Sequence, residues 1–286
     1  MRPADAIPPG DLLGPGYEAI EHLARSNVLD VYDAWSVERG CRVVVKTLCP
    51  ERRSDRRARA ALVREGRLLA RLTHPHLVRC YEVVREPHPA IVLETLRGET
   101  VAHLVERRER RLTSLELAFL GLHLCSGLGY LHARGIVHLD VKPSNVIAEA
   151  GRAKLIDLSV ARRPGRCPAG VGTWCYLAPE QARGGDVGPA ADVWGVGGLL
   201  FEAATGECAF DDAGDDADYP QLERRAEPVR RLRPRLHPAL ADAVDAALDP
   251  DPARRPTLAQ LAARLEDAAR LPRTERRLGA AQGSSR

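Results

Sequence analysis

The chain has 286 residues, of which 44% are hydrophobic and 28% charged, and its formal net charge is +3. This length and composition indicate a soluble globular protein of one large domain or of two lobes that share a cleft. The small net charge argues against general nucleic-acid binding. Seven cysteines without a CxxC pair indicate reduced thiols in a cytoplasmic protein, and they exclude a zinc framework or a set of disulfides.

The N-terminal stretch and the hydropathy pattern indicate neither a signal peptide nor a membrane span. Residues 1–10 lack the apolar core of a signal peptide. We find no apolar run that approaches the roughly 18 residues that a membrane span needs. We therefore expect no membrane span and a cytoplasmic location.

The first half of the chain predicts an antiparallel sheet with one helix. Residues 1–14 are rich in proline and glycine and predict a flexible tail. Leucines at helical spacing over residues 54–72 predict an amphipathic helix. Alternating apolar residues predict five strands: Tyr17–Leu23, Val28–Trp35, Cys41–Leu48, Leu77–Arg85 and Ala90–Glu94.

Beyond residue 98 the pattern becomes mainly helical, so the fold class is α+β. The domain prediction is a tail over 1–14, a small lobe over 15–94, a larger lobe over 95–270 and a disordered basic tail over 271–286. The predicted helices are Thr100–Arg107, Leu115–Arg134, Ala190–Thr205, His237–Leu248 and Thr257–Ala269.

One polar octet, His138 to Asn145, lies between the end of a helix and a short apolar run, where a loop is expected. Asp157 follows twelve residues after Asn145. The amide oxygen of Asn145 and the carboxylate of Asp157 are hard ligands of the kind that magnesium prefers. Asp140 is then left to accept a proton. This combination fits transfer of a phosphoryl group to a hydroxyl.

The octet resembles the H-R-D-L-K-x-x-N catalytic loop of eukaryotic-like, bacterial-type serine/threonine protein kinases. Other motifs occur around it in the order that this family has, and together they cover residue 17 to about residue 265. The resemblance implies a bilobal protein-kinase-like fold, with a five-stranded antiparallel N-lobe that carries one helix and a mainly helical C-lobe. The segments that resemble V-A-I-K, D-F-G, G-T-x-x-Y-x-A-P-E and D-x-W-x-x-G are Val43–Lys46, Asp157–Ser159, Gly172–Glu180 and Asp192–Gly197.

The resemblance also implies a role for each site residue. Asp140 is the expected base, Lys142 neutralises the γ-phosphate, and Thr173 bridges the two. Lys46 contacts the α and β phosphates of ATP and is held by Glu65. The metal ligands for Mg²⁺ are Asn145 and Asp157. The nucleotide is expected to contact Ala24, Val31, Val44, Lys46, Glu94, Leu96 and Ile147.

Several positions depart from the family pattern. The glycine-rich loop falls on residues 24–29, and none of its three glycines is present. The arginine of the catalytic loop is Leu139, and residues 160–172 contain no serine, threonine or tyrosine. We therefore expect an activation segment that is ordered by packing and does not need phosphorylation.

Two functions of different classes follow from these motifs. The leading one is an active serine/threonine protein kinase that uses ATP and Mg²⁺, acts on protein substrates with a serine or threonine acceptor, and is controlled by a separate regulatory protein. The alternative is a pseudokinase that binds nucleotide or partners as a scaffold. The alternative rests on the missing glycines, whereas all six polar groups used in the chemistry are retained.

Overall fold

The computed structural model describes residues 6–107, 111–211 and 218–269. Within these ranges the chain divides into two compact units. Of the described residues, the first unit comprises 6–100 and Asn145–Ala161, and the second comprises 101–107, 111–144, 162–211 and 218–269. The predicted tail over 271–286 lies outside the described residues.

The first unit is built on a six-stranded antiparallel sheet in the order β1-β2-β3-β4-β6-β5. Its strands are β1 (Leu12–Gly14), β2 (Tyr17–Arg25), β3 (Leu29–Ser36), β4 (Cys41–Leu48), β5 (Cys80–Val84) and β6 (Ala90–Glu94). The helix α1 (Arg56–Leu69) follows β4. All five predicted strands and the helix are present, and β1 is an additional strand at the edge.

The N-terminal segment is not a loose tail, so the prediction for residues 1–14 was wrong from residue 6 onward. Ala6 and Leu13 are buried, and the backbone N–H of Ile7 donates to the Tyr32 hydroxyl at 3.1 Å. Tyr32 belongs to an apolar cluster on one face of the sheet, which Ile7 and Leu13 help to cover. A few apolar residues and one short edge strand are enough to hold a segment whose proline and glycine content indicated disorder.

A second, three-stranded sheet joins residues 145–161 to the first unit. Its strands are β7 (Glu99–Thr100), β8 (Val146–Glu149) and β9 (Arg152–Leu155), paired in that order. The carbonyl of Leu155 also accepts a hydrogen bond from the N–H of Val78 at 2.8 Å. The predicted lobe boundary at residue 94/95 assigned this segment to the second lobe because it is distant along the chain, and strand pairing places it in the first unit.

The second unit is mainly helical, as expected. Its helices are α2 (Val101–Arg107), α3 (Ser114–His132), α4 (Pro179–Arg183), α5 (Pro189–Thr205), α6 (Val229–Leu232), α7 (Pro238–Ala247) and α8 (Leu258–Ala269). A short antiparallel pair, β10 (Gly165–Cys167) and β11 (Gly185–Val187), was not predicted. The helix α3 begins with a capping box between Thr113 and Glu116.

Among the described residues, α3 is the one helix that is long and apolar enough to cross a membrane by length and composition. The sequence expectation that no stretch reaches this limit was therefore wrong for α3. Half of its apolar window is buried inside the protein, and the helix packs against α5 and α8. A core helix of a globular domain has these same properties.

The packing of α3 depends on Gly121. A Cβ at this position would lie 2.6 Å from a methyl of Leu265 and 3.0 Å from one of Leu200, whereas a Cβ at Gly129 of the same helix would meet nothing within 4 Å. We expect Gly121→Val to destabilise the fold by about 1–3 kcal/mol through overpacking, measured by thermal unfolding.

The matched control is Gly129→Val. It makes the same change in the same helix at an open position, so its melting temperature is expected to stay near that of the wild type. Equal losses at both positions would contradict the close packing of α3 against α5 and α8.

Candidate active site

Lys46 lies on the face of the six-stranded sheet that is opposite to the N-terminal segment. Its Cα partner on β3 is Val31, and the partner of Val31 on β2 is Ala24. Val44 lies two residues before Lys46 on β4. Because side chains alternate along a strand and cross-strand partners share a face, these four predicted site residues lie on one face.

The helix α1 packs on this same face and brings Glu65 to Lys46. The Asp55 side chain caps the helix by accepting from two backbone N–H groups. Gly66 permits a close approach, because a Cβ there would lie 2.9 Å from Val83 and 3.1 Å from Ile91. The Lys46 ammonium then lies 2.8 Å from the Glu65 carboxylate.

Asp157, which comes two residues after β9, is partly exposed and completes the cluster around the buried Lys46. Its carboxylate lies 3.3 Å from the Lys46 ammonium and accepts the N–H of Ser159 at 2.7 Å. Asn145 belongs to the same unit, and its backbone carbonyl accepts the N–H of Ile156 at 3.0 Å. Residues 145 and 157 are therefore close in the fold although they are twelve positions apart.

The charges in this cluster alter one another. Lys46 is 7% exposed and Glu65 is 4% exposed. Burial lowers the pKa of Lys46, but Asp157 and Glu65 raise it more, so the net direction is upward. Burial raises the pKa of the Glu65 carboxyl, and the Lys46 ammonium opposes this rise. The lysine is therefore a permanent cation beside a carboxyl group that depends on it to stay ionised.

The other residues predicted to contact the nucleotide also lie in the first unit. The carboxylate of Glu94, at the end of β6, accepts from the Lys154 ammonium at 2.5 Å and from the Arg79 N–H at 2.8 Å. Leu96 follows β6 by two residues, and Ile147 lies on β8 opposite Lys154. With its side chain engaged, Glu94 has only its backbone left for an adenine edge.

The turn between β2 and β3 stands where the family has its glycine-rich loop. The Ser26 hydroxyl accepts the N–H groups of Leu29 at 2.9 Å and of Val28 at 3.2 Å. The Ser26 N–H itself donates to the Leu29 carbonyl at 2.8 Å. Three backbone N–H groups of the turn are therefore used inside the turn.

A buried charge cluster anchors this turn. Asp30 accepts from Arg25 at 2.6 Å and contacts His22 at 2.8 Å. Burial raises the pKa of Asp30, but the hydrogen bonds from Arg25 and His22 lower it more, so the carboxylate form is favoured. The turn is consequently a closed and well-supported hairpin.

The second cluster lies in the second unit and contains the three remaining predicted residues. The Thr173 hydroxyl donates to the Asp140 carboxylate at 2.7 Å. The Lys142 ammonium donates to the Thr173 hydroxyl at 2.5 Å and lies 3.0 Å from the other Asp140 oxygen. The structure thus brings the three side chains into one closed triangle.

Asp192 of α5 holds the loop that carries Asp140. Its buried carboxylate accepts the N–H of His138 at 2.8 Å and the N–H of Leu139 at 2.7 Å, and it also contacts the His132 ring at 2.7 Å. Leu139 has a φ of 64°, a conformation that a bulky residue rarely adopts. The hydrogen bonds to Asp192 hold the backbone in this conformation.

The activation segment is anchored through its backbone. Arg162 pairs with Val137 through two hydrogen bonds of 2.8 and 3.0 Å, and β10 pairs with β11. The Gln181 side chain donates to the carbonyls of Leu139 at 2.9 Å and of Val171 at 2.8 Å. These contacts order residues 160–172 without any hydroxyl side chain between them.

The sequence motifs did not identify several of these supporting residues. His132, Gln181 and Ser26 each make contacts that position the site, but each lies outside the charged motif positions. For Ser26 the sequence did contain a signal, because this residue stands within the segment where the family has its glycines. The substitution indicates a changed turn, but it does not indicate which hydrogen bonds the turn makes. For the two others no pattern in a single sequence was available.

The fold of the chain is that of a bacterial kinase domain. It matches the crystal structure of the Mycobacterium tuberculosis PknI kinase domain with a TM-score of 0.71, at 24% sequence identity, over 92% of this chain and 100% of that one. A family model described as the protein kinase domain matches residues 17–264. The chain therefore belongs to the protein kinase family.

Curated relatives agree with this assignment. A probable serine/threonine-protein kinase of Streptomyces coelicolor is 31% identical over 84% of this chain, and the DNA damage-responsive serine/threonine-protein kinase RqkA of Deinococcus radiodurans is 32% identical over 83%. The serine/threonine-protein kinase PknA of Mycobacterium tuberculosis is 32% identical over 86%. The chain spans 38%, 36% and 59% of the length of these relatives, in that order.

The Lys46 and Glu65 pair predicts a pH dependence of stability. The pKa of Glu65 is raised in the folded state, so its stabilising contribution is fully present below the unfolded pKa and is lost as the pH rises through the folded pKa. Removing the ammonium in Lys46→Met raises this pKa further. We expect the melting temperature of Lys46→Met to fall increasingly below that of the wild type as the pH rises above 4.5, the ordinary pKa of a glutamic acid.

The control repeats the comparison in the Glu65→Gln background, where the group that titrates is absent. There the gap between the two proteins is expected to widen less with pH, because only Asp157 remains to respond to the missing cation. An equal widening in both backgrounds would show that Glu65 does not depend on Lys46.

Proposed function

We propose that this chain is a serine/threonine protein kinase that transfers the γ-phosphoryl group of ATP to hydroxyl groups of protein substrates. The observation that carries the proposal is that each unit contains a complete charged cluster. The first joins Lys46, Glu65 and Asp157, and the second joins Asp140, Lys142 and Thr173. Relatives named as serine/threonine-protein kinases support the same reaction.

Nucleotide binding is assigned to the first unit. The Lys46 ammonium is the group for the α and β phosphates, and Glu65 fixes its position through the 2.8 Å contact. The adenine lies against the sheet face that carries Val31 and Val44, with Ala24 at the edge and Ile147 as the covering residue. The backbone groups of Glu94 and Leu96 bind the edge of the base.

Asn145 and Asp157 are the residues that would hold magnesium. One supplies an amide oxygen and the other a carboxylate, which is the donor set that Mg²⁺ takes together with phosphate oxygens. Among the described residues there is no cluster of three or more histidine, cysteine or acidic side chains placed for a metal. A bound Mg²⁺ would neutralise phosphate charge, and a metal shared with a substrate phosphate needs few protein ligands.

Asp140 is the group that orients the acceptor hydroxyl and accepts its proton. The positive charge of Lys142 stabilises the transferred phosphoryl group. Thr173 holds the Lys142 and Asp140 side chains in place through hydrogen bonds of 2.5 and 2.7 Å. In this reaction the protein contributes position and charge, and little covalent chemistry.

The enzyme is proposed to be active without phosphorylation of its activation segment. The family's loop arginine is replaced by Leu139. Two other features support the segment: the pairing of β10 with β11 and the hydrogen bonds of the Gln181 side chain. Control by a separate regulatory protein and a cytoplasmic location belong to the same proposal. A pseudokinase is not favoured, because both charged clusters are complete.

The first test of the activity is Asp140→Asn. Loss of the proton acceptor is expected to lower phosphoryl transfer by about 10²–10⁴-fold, measured as label from radioactive ATP on a generic basic protein with Mg²⁺. The matched control is Asp186→Asn, an exposed aspartate on β11, which should keep wild-type activity. Equal labelling by the Asp140→Asn and wild-type proteins would contradict the proposal. Absence of labelling in both, with no melting shift on adding Mg-ATP, would favour the pseudokinase.

The closed turn at Ser26 predicts weak nucleotide binding that can be improved. Ser26→Gly removes the hydroxyl that occupies two N–H groups and allows the backbone to approach a phosphate. One gained hydrogen bond to an ionised phosphate, about 1.5–3 kcal/mol, corresponds to a Kd for Mg-ATP that is about 10–150-fold lower. Titration calorimetry measures the change.

The companion variant for this test is Ser26→Ala. It releases the same N–H groups but keeps the Cβ, so the improvement should be smaller than for Ser26→Gly. Weaker binding by both variants would show that the Ser26 hydroxyl itself contributes to nucleotide binding.

A further inference from the structure

Two cysteines of the second unit lie in contact beside the Asp140 cluster. Cys175 is the central residue of a short 3₁₀ turn, Trp174–Tyr176, and Cys208 follows the end of α5 by three residues. The Cys208 thiol donates to the Cys175 carbonyl oxygen at 3.8 Å, which brings it against the residue that carries the other thiol. Both thiols are free and partly exposed, and the proposed reaction uses neither.

The contact makes the two thiols unequal. The hydrogen bond from Cys208 lowers the pKa of Cys175, in spite of burial and of the nearby Glu202 carboxylate, which both act in the opposite direction. The same bond raises the pKa of Cys208. Because the thiolate is the nucleophilic form of cysteine, Cys175 is the reactive member of the pair.

Other cysteines of the chain lack this combination. Burial raises the pKa of Cys125 to about 12 and that of Cys80 to about 11. Burial also raises the pKa of Cys49. A thiol with a lowered pKa, partial exposure and a second thiol in contact is the arrangement found in cysteines that are reversibly oxidised.

We propose that Cys175 is an oxidation site for hydrogen peroxide and that Cys208 is its resolving partner, so that the pair closes to a reversible disulfide. The Cys175 thiolate attacks one peroxide oxygen, the O–O bond breaks, and the leaving hydroxide takes a proton to become water. The Cys208 sulfur then attacks the Cys175 sulfenic acid, the S–O bond breaks, and a second water leaves with the thiol proton. Two thiols lose two electrons, one peroxide gains them, and a thiol reductant reverses the change.

The location of the pair connects it to the catalytic cluster. The turn at residues 174–176 begins at Thr173, whose carbonyl accepts the N–H of Tyr176 at 2.9 Å. The Gln221 side chain holds the turn by donating to the carbonyl of Trp174 and to that of Leu177, which follows the turn, each at 3.2 Å. A disulfide bond of about 2.05 Å is shorter than any hydrogen-bonded separation of two sulfurs, so closing it pulls the turn toward the end of α5.

Movement of the turn displaces Thr173 from Asp140 and Lys142. Small displacements of catalytic groups cost large factors in rate, so oxidation is expected to lower phosphoryl transfer by about tenfold or more. This second effect rests on the proposed kinase function, whereas formation of the disulfide does not.

The experiment uses the full chain in its reduced form. The protein is treated with hydrogen peroxide, remaining thiols are blocked with N-ethylmaleimide, and a non-reducing digest is analysed by mass spectrometry. We expect a peptide pair linked through Cys175 and Cys208 that disappears after dithiothreitol. In Cys208→Ser, Cys175 should instead accumulate as a sulfenic acid that dimedone traps.

Two further variants complete the test. In Cys175→Ser, Cys208 should remain reduced and available to the maleimide, because burial and the nearby Glu202 carboxylate still raise its pKa without the Cys175 sulfur. Cys41→Ser changes a partly buried cysteine of the first unit and should form the linked peptide as the wild type does. The proposal is overturned if Cys175 and Cys208 both stay reduced while other cysteines are oxidised, or if Cys208 is oxidised equally in Cys175→Ser.

The activity measurement separates the two proposals. A linked pair in a protein that never labels a substrate supports the oxidation site and contradicts the kinase function. A linked pair with unchanged labelling overturns the connection to Thr173. Labelling that falls on oxidation and returns with dithiothreitol, but stays constant in Cys208→Ser, supports both.

Discussion

The buried contact between Lys46 and Glu65 is the interaction on which the arrangement of the first unit depends. Removing an ammonium and a carboxylate from water costs several kcal/mol for each ion, and only close, well-directed contacts offset that cost. The 2.8 Å separation requires β4 to present Lys46 toward α1, and it requires α1 to lie against the sheet at Gly66. Asp157 adds a second negative charge nearby, which an arrangement serving stability alone has no need to include.

In the second unit, side-chain hydrogen bonds to the backbone hold the loop that carries Asp140. Asp192 directs its buried carboxylate at two consecutive N–H groups and so holds Leu139 at a φ of 64°. Gln181 connects the same loop to the activation segment through the Leu139 and Val171 carbonyls. A buried amide and a buried carboxylate therefore hold the loop and the segment through contacts with their backbone.

The sequence predicted the elements whose apolar residues recur at a regular spacing and the site residues that match a family motif. The strands from Tyr17 to Glu94 and the long helices were evident because apolar spacing records which face is buried. The edge strand β1, the β7-β8-β9 sheet and the contact between Cys175 and Cys208 were not evident. Each of these depends on a partner that is distant in the chain or on too few residues to show a period. The closed form of the Ser26 turn likewise follows from hydrogen bonds of the serine side chain. The absence of glycine from the sequence does not reveal these bonds.

The strand β1 affects how a minimal catalytic fragment should be chosen. The family match begins at residue 17, so a protein shortened to that match starts at β2 and lacks Leu12–Gly14 and the buried Ala6. The apolar cluster around Tyr32 then faces water, and β2 becomes an unprotected sheet edge of the kind that recruits strands from other molecules. Self-association of such a fragment would reflect where it was cut and would give no information on the quaternary state of the intact chain.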